Sequence, residues 1–180
     1  MGGIAFIAAA LFSAVIFIPK AEKTVVLTFA IGIAYMLVGL LDDFLKKKHK
    51  ENLGLKAWQK FLFQIAIAVL AGVYCLRAEL TVLYLPFTKL SLNVGFWMLP
   101  IAVFVFVATV NAVNLTDGLD GLASATAIPF FLTLGILIAL QTAESHAPTL
   151  CFCLVGALCA YLLFNVSPAS VFMGDTGSLA

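Results

Sequence analysis

Residues 111–123 read NAVNLTDGLDGLA. This stretch decides the fold, because apolar runs long enough to cross a bilayer flank it on both sides. Asn111, Asn114, Asp117 and Asp120 recur at steps of three, which on a helix keeps side chains near one face. Gly118 and Gly121 each follow an Asp, so a break or tight turn is expected, with backbone amides able to approach a ligand. The stretch reads as a polar pocket where a membrane helix ends. A loop of ordinary Asx turns would explain the Asp and Gly. It would not explain two Asn still inside the apolar run.

Outward from this stretch, the whole chain is apolar. It has 180 residues, 63% hydrophobic and 11% charged, with mean hydropathy +1.13. A soluble domain carries roughly twice that share of charge. The expected fold class is an all-α polytopic integral membrane protein, with residues 1–180 as one transmembrane domain. A net charge of +1 gives no footing for nucleic acid. Cys75, Cys151, Cys153 and Cys159 match no zinc or disulfide spacing and read as small buried hydrophobes. No basic region followed by a cleavage site marks a secretory signal.

Six spans are expected. They run from about Gly2 to Ile18 (stopped by Pro19), Thr24 to Leu41, Phe61 to Leu76, Phe96 to Val113, Leu122 to Leu140, and Thr149 to Phe164. Residues 77–93, with alternating β-branched and aromatic residues, suit a short hairpin or interfacial piece. Trp58 and Trp97 read as interfacial anchors. Lys46, Lys47, Lys48, Lys50, Lys56 and Lys60 put six of the ten basic residues in one short segment. By the positive-inside rule that segment is cytoplasmic. Segments 42–60, 111–121 and 165–178 then share the cytoplasmic side, and 19–23 (with Lys20), 77–95 and 141–148 face outward.

All five Asp, at 42, 43, 117, 120 and 175, fall on the cytoplasmic side. The Glu are spread, with Glu22, Glu79 and Glu144 outside and Glu51 inside. Carboxylates at the ends of membrane helices are costly unless solvated, paired or metal-bound. Their convergence beside a basic loop points to a metal and a phosphorylated substrate, and Mg²⁺ suits carboxylate and phosphate oxygens. Simple helix-end solvation does not account for the adjacent pair Asp42-Asp43 closing an apolar run. Adjacent residues cannot point the same way, so one can face metal and the other substrate, or one is structural. Lys46 can neutralise either Asp or bind phosphate. Lys47, Lys48 and Lys50 suit anionic lipid heads, and His49 reads as solvated. Phe172, in a polar tail three residues before Asp175, can stack on a nucleobase or cap the domain against lipid. GDTGS at 174–178 lacks the lysine of a P-loop, DGLDG is no calcium loop, and no HExxH, GxSxG or CxxC occurs. What remains is Asp, Asn and Lys, a set that suits metal-assisted phosphoryl transfer.

MGG at 1–3, LLDDFLKK at 40–47, NAVNLTDGLDGLA at 111–123 and NVSPASVFMGDTGSLA at 165–180 resemble the bacterial phospho-N-acetylmuramoyl-pentapeptide-transferases. These belong to the polyprenyl-phosphate N-acetylhexosamine-1-phosphate transferases, glycosyltransferase family 4. The resemblance covers the whole chain but about half of the family's fold, which has ten helices. It implies that these six are the second to the seventh, that Met1 is internal, and that a His-rich cytoplasmic loop lies further on.

The resemblance implies transfer of the phospho-sugar of UDP-N-acetylmuramoyl-pentapeptide to undecaprenyl phosphate in the bacterial cytoplasmic (inner) membrane, giving lipid I and UMP with Mg²⁺. It implies catalytic roles for Asp42, Asp43 and Asp175. Asp175 and Asn114 would hold metal. Lys46, Lys60, Asn111, Asn114, Asp117, Gly118, Leu119, Asp120 and Phe172 would bind substrate, with Phe172 over the uracil. A phosphate monoester with a second pKa of about 6 is largely a dianion at neutral pH. Charge neutralisation at the diphosphate then matters more than a general base. Direct attack is the simpler course, and a double displacement through an aspartyl-phosphate stays open. A sibling transferase using UDP-N-acetylglucosamine would share the DD and DG motifs. A transporter would place its ionisable groups near the midplane. A non-catalytic assembly protein would need no one-sided Asp cluster. Oligomeric state, homodimer included, is left open.

Overall fold

The computed structural model describes residues 2–18, 22–48, 54–85, 88, 90–141 and 145–180. Met1, Pro19, Lys20, His49, Lys50, Glu51 and Glu144, named above, lie outside the described residues. The elements are α1 (Gly2–Phe17), α2 (Lys23–Lys48), α3 (Ala57–Arg77), β1 (Val82–Tyr84), β2 (Ser91–Asn93), α4 (Met98–Thr116), α5 (Leu122–Gln141), α6 (Ala147–Asn165) and α7 (Gly174–Ser178). The chain is a polytopic helical membrane protein carrying one small antiparallel hairpin, in which Leu83 pairs with Leu92.

Among the described residues, five helices are long and apolar enough to cross a membrane: Lys23–Lys48, Ala57–Arg77, Gly95–Thr116, Leu122–Gln141 and Ala147–Asn165. The sixth expected span, α1, has 16 residues. At 1.5 Å per residue it is about 24 Å long, short of a hydrocarbon core of about 30 Å.

Burial is inverted relative to a soluble protein. Ala10, Ala14, Ala68, Ala71, Ala102, Ala123 and Ala157 fill the helix contacts, while Phe12, Leu70, Phe104, Leu140 and Leu163 face outward. With lipid as solvent there is no gain in hiding large apolar groups, so small residues that let backbones approach take the interfaces. Two groups of helices result. α1, α5 and α6 pack together, as do α2, α3 and α4. α7 bridges them, packing on α1, α2 and α4.

Two boundaries differ from expectation in ways that matter for the site. α2 does not stop before the Asp pair. It continues to Lys48, since no Gly or Pro interrupts it there and Lys46, Lys47 and Lys48 in its last turn complement the helix dipole. Asp42 is therefore inside the helix and only 2% exposed. The tail, expected to be polar and solvated, turns back into the protein, with Thr176, Ser178 and Leu179 all buried. Backbone N–H groups of Gly2 and Gly3, at the start of α1, donate to the carbonyls of Phe172 and Met173, so the tail caps that helix.

The far end is closed by other contacts. Glu22 accepts the backbone N–H of His146 at 3.2 Å, joining the connector before α2 to the one before α6. The hairpin joins the ends of α3 and α4 on that same side, opposite the Asp cluster.

Candidate active site

The cluster is assembled from four separate stretches. α2 supplies Asp42, Asp43 and Lys46, α3 supplies Lys60, the last turn of α4 supplies Asn114, and α7 supplies Asp175. Asp175 is the hub. Its Oδ2 accepts Lys46 Nζ at 2.6 Å and Lys60 Nζ at 3.1 Å, and its Oδ1 accepts Asn114 Nδ2 at 2.7 Å. Lys46 also pairs with Asp42 Oδ2 at 2.8 Å, and Lys60 lies 3.9 Å from that oxygen. Asn114 further donates to Ser178 Oγ at 2.7 Å.

The two adjacent Asp do different work. Asp42 Oδ1 accepts the backbone N–H of Leu55 at 2.6 Å, tying the 54–56 segment over the cluster. Asp43 faces the tail. Its carboxylate accepts the N–H of Asp175 at 3.2 Å, the N–H of Thr176 at 3.0 Å and the Thr176 hydroxyl at 2.6 Å. It thereby satisfies backbone donors at the start of α7.

Two glycines permit this docking. Gly39 lies three residues before Asp42 on α2, and a side chain there would run into the Asp175 carbonyl. Gly174 has φ +70°, a left-handed conformation that a side chain would strain, and its Cβ would sit 2.7 Å from the Asp43 carboxylate.

Burial tends to raise the Asp175 carboxyl, but hydrogen bonds with Asp42, Lys46 and Asn114 and the Lys60 charge hold it well below the usual range. Asp117, just beyond α4, is pushed up to about 6, first by burial and then by the charges of Asp175 and Asp43, against a partial offset from the Gly174 backbone. Burial is the larger cause, and the neighbouring carboxylates add to it. An all-oxygen donor set with excess negative charge fits a hard cation such as Mg²⁺. Among the described residues, no three carboxylate, imidazole or thiol groups already form a metal cage.

Asp120 lies to one side. Its Oδ2 accepts the N–H of Ala169 at 3.1 Å, and Gly121 N–H donates to Asn165 Oδ1 at 3.0 Å. Asn165 Nδ2 in turn reaches the Val171 carbonyl at 2.9 Å. The DGLDG loop is thus bolted to the segment carrying Phe172. Gly118, Leu119 and Phe172 are exposed there, Phe172 by 64%. Asn111 also stays out of the cluster. It lies one turn deeper on α4, with Nδ2 donating to Gln64 Oε1 and the Val107 carbonyl. A step of three along a helix shares a face but changes depth by about 4.5 Å.

The sequence reading gives no role to Gln64, nor to Asn165, Thr176 and Ser178 within the 165–180 motif. For Gln64 a signal existed: an amide inside an apolar run, four residues after Lys60.

A model of Glycosyl transferase family 4 matches residues 24–180. The chain belongs to this family. It is 42% identical over 184 residues to the phospho-N-acetylmuramoyl-pentapeptide-transferase of Listeria monocytogenes serotype 4b (strain CLIP80459), covering 100% of this chain and 56% of that protein. The enzyme of the same name from Clostridium novyi (strain NT) is 37% identical over 185 residues, covering 100% and 56%. That from Clostridium botulinum (strain Eklund 17B / Type B) is 37% identical over 181 residues, covering 100% and 55%. The chain spans about half the length of the curated relatives it matches. The candidate site residues, Asp42 to Asp175, all fall within the stretch matched by the family model.

Proposed function

We propose that the protein transfers phospho-N-acetylmuramoyl-pentapeptide from its UDP-linked donor to undecaprenyl phosphate, releasing UMP and forming lipid I for peptidoglycan synthesis. One observation carries this reading. Asp42, Lys46, Lys60, Asn114 and Asp175, drawn from three helices and the tail, meet around one carboxylate. Such a site suits an incoming diphosphate, which can take over both ammonium groups from Asp175.

Each residue then has a task. Lys46 and Lys60 hold the diphosphate and offset the charge that builds on the leaving UMP. Asp42, buried and fixed by Leu55, orients the attacking lipid phosphate or takes its proton. Asp43 keeps α7, and so Asp175, in place. Asp117, Gly118, Leu119, Asp120 and Phe172 bind the uridine, with the exposed Phe172 ring over the uracil. Asp175 and Asn114 would hold Mg²⁺, which when bound supplies Lewis-acid neutralisation of diphosphate oxygens. The lipid phosphate attacks directly, which needs no covalent enzyme intermediate. The whole protein would have ten helices, of which this chain is a part, and lie in the bacterial cytoplasmic membrane. Segments 42–60, 111–121 and 165–178 would then face the cytoplasm, the side from which the UDP donor arrives.

The test is UMP release by the full-length protein, with donor, undecaprenyl phosphate and Mg²⁺ varied in turn. Release that depends on all three is expected. Release from UDP-N-acetylglucosamine but not from the muramoyl donor would assign the sibling activity instead.

A further inference from the structure

Beneath the cluster lies a second polar layer, made of one residue from each of the same three helices. Tyr35 of α2, Gln64 of α3 and Asn111 of α4 lie seven, four and three residues from Asp42, Lys60 and Asn114 respectively. Tyr35 Oη donates to the Gln64 carbonyl at 3.0 Å. Gln64 and Asn111 exchange hydrogen bonds through their side-chain amides, Asn111 Nδ2 to Gln64 Oε1 at 2.7 Å and Gln64 Nε2 to Asn111 Oδ1 at 3.4 Å. Gln64 is fully buried and Tyr35 nearly so. The mechanism above uses none of the three.

We infer that the Gln64–Asn111 amide pair, braced by Tyr35, is a positioning device that fixes the register of α3 against α4 and so sets Lys60 against Asn114 and Asp175. The inference rests on the transferase reading for its consequence but not for its geometry. Two planar amides bonded in both directions accept one axial offset and one rotation. A slide of a single residue moves one helix by about 1.5 Å and breaks both bonds. Apolar side chains at the same contact would tolerate that slide, which is why a buried amide specifies register at some cost in stability. Lys60 is one turn above Gln64, and Asn114 is one turn above Asn111. Their separation, 3.4 Å from Lys60 Nζ to Asn114 Oδ1, is therefore inherited from the pair below. A displacement of about 1 Å at a catalytic group can cost on the order of 100-fold in rate.

The experiment uses full-length protein in detergent and reads thermal stability and UMP release for Gln64→Leu, Asn111→Leu, the double leucine variant, and the swap Gln64→Asn with Asn111→Gln. Asn111→Leu leaves the buried Gln64 amide unpaired and should lower Tm; Gln64→Leu leaves the half-buried Asn111 with only its Val107 bond and should lower Tm less. The double variant removes both amides and should recover Tm. Its kcat should nonetheless stay about 10- to 100-fold down, because register is no longer specified. The swap rebuilds an amide pair and should recover part of kcat. Wild-type kcat in the double leucine variant would overturn the positioning role, and so would a kcat that follows Tm across all four variants. Unchanged Tm in both single variants would overturn the clamp itself, and that arm reads even without activity. A wild-type protein with no UMP release would sink the transferase reading, leaving the stability cycle to decide the clamp.

Discussion

Lys46 and Lys60, from different helices, donate to one and the same oxygen, Asp175 Oδ2, at 2.6 and 3.1 Å. Two ammonium groups this close repel each other, and the shared carboxylate is what holds them together. Removing its charge should therefore disperse the site as well as weaken the proposed Mg²⁺ site. Asp175→Asn is expected to lower kcat by about 10²–10³-fold, with a smaller change in KM, and to shift the Mg²⁺ requirement to higher concentration. UMP release titrated with Mg²⁺ checks this. Near-normal turnover with an unchanged Mg²⁺ response would remove the metal assignment.

Asp117 should make stability depend on pH. Its folded pKa of about 6 lies above the ordinary value of 3.8. The folded state then holds the proton more tightly than the unfolded state, so this group's contribution falls as pH rises from about 4 to about 6 and stays low above that. In metal-free protein, Asp117→Asn should raise Tm more at about pH 7.5 than at about pH 4.5. An equal change at both pH values would show that Asp117 is not charged against its neighbours.

Phe172→Ala should weaken binding of the UDP donor by about 1–3 kcal/mol if the exposed ring stacks on uracil. Affinity for the lipid phosphate should hardly move. Calorimetry with UMP separates the outcomes, since parallel losses for both substrates would mean a packing role.

Gly39→Ala tests the docking of α7 without touching any charged group. The added methyl would meet the Asp175 carbonyl. A cost of about 1–3 kcal/mol is expected for such overpacking, with loss of turnover as α7 is pushed outward. A variant as stable and active as wild type would mean that the backbone there gives way freely.

Topology can be read by labelling single cysteines placed at Lys47, Asn93 and Thr116 in native membranes. Lys47 and Thr116 belong to the end that carries the cluster, and Asn93 to the hairpin at the other end. Lys47 and Thr116 should react from one side and Asn93 from the other. Reaction of Asn93 together with Lys47 would contradict the arrangement.

Much of this site was legible in the sequence, for identifiable reasons. Asp42, Asp43, Lys46, Asn114 and Asp175 stand out because charge and amides are rare in an apolar chain and need a purpose. Helical spacing puts Lys46 within reach of Asp42 or Asp43, and the structure pairs it with Asp42. The burial of α7 did not follow from its residues, since Gly-Asp-Thr-Gly-Ser is short and polar. It comes from Asp43, Lys46 and Lys60, which satisfy the polar groups of α7 inside the protein. Depth was equally hidden. Asn111 and Asn114 look alike in the sequence, and only the helix facing them, with Gln64 one turn from Lys60, separates a structural amide from one in the cluster.

α7 also imposes an order in time. A ribosome releases it after all six longer helices, yet it brings the carboxylate on which Lys46, Lys60 and Asn114 converge. Through Phe172 and Met173 the same segment reaches back to Gly2 and Gly3 on the first helix. The nascent chain can thus thread the preceding helices into the bilayer while the cluster is still open. Among these elements, the cluster closes only when a five-residue plug is seated and latches α1 to the turn that follows α6.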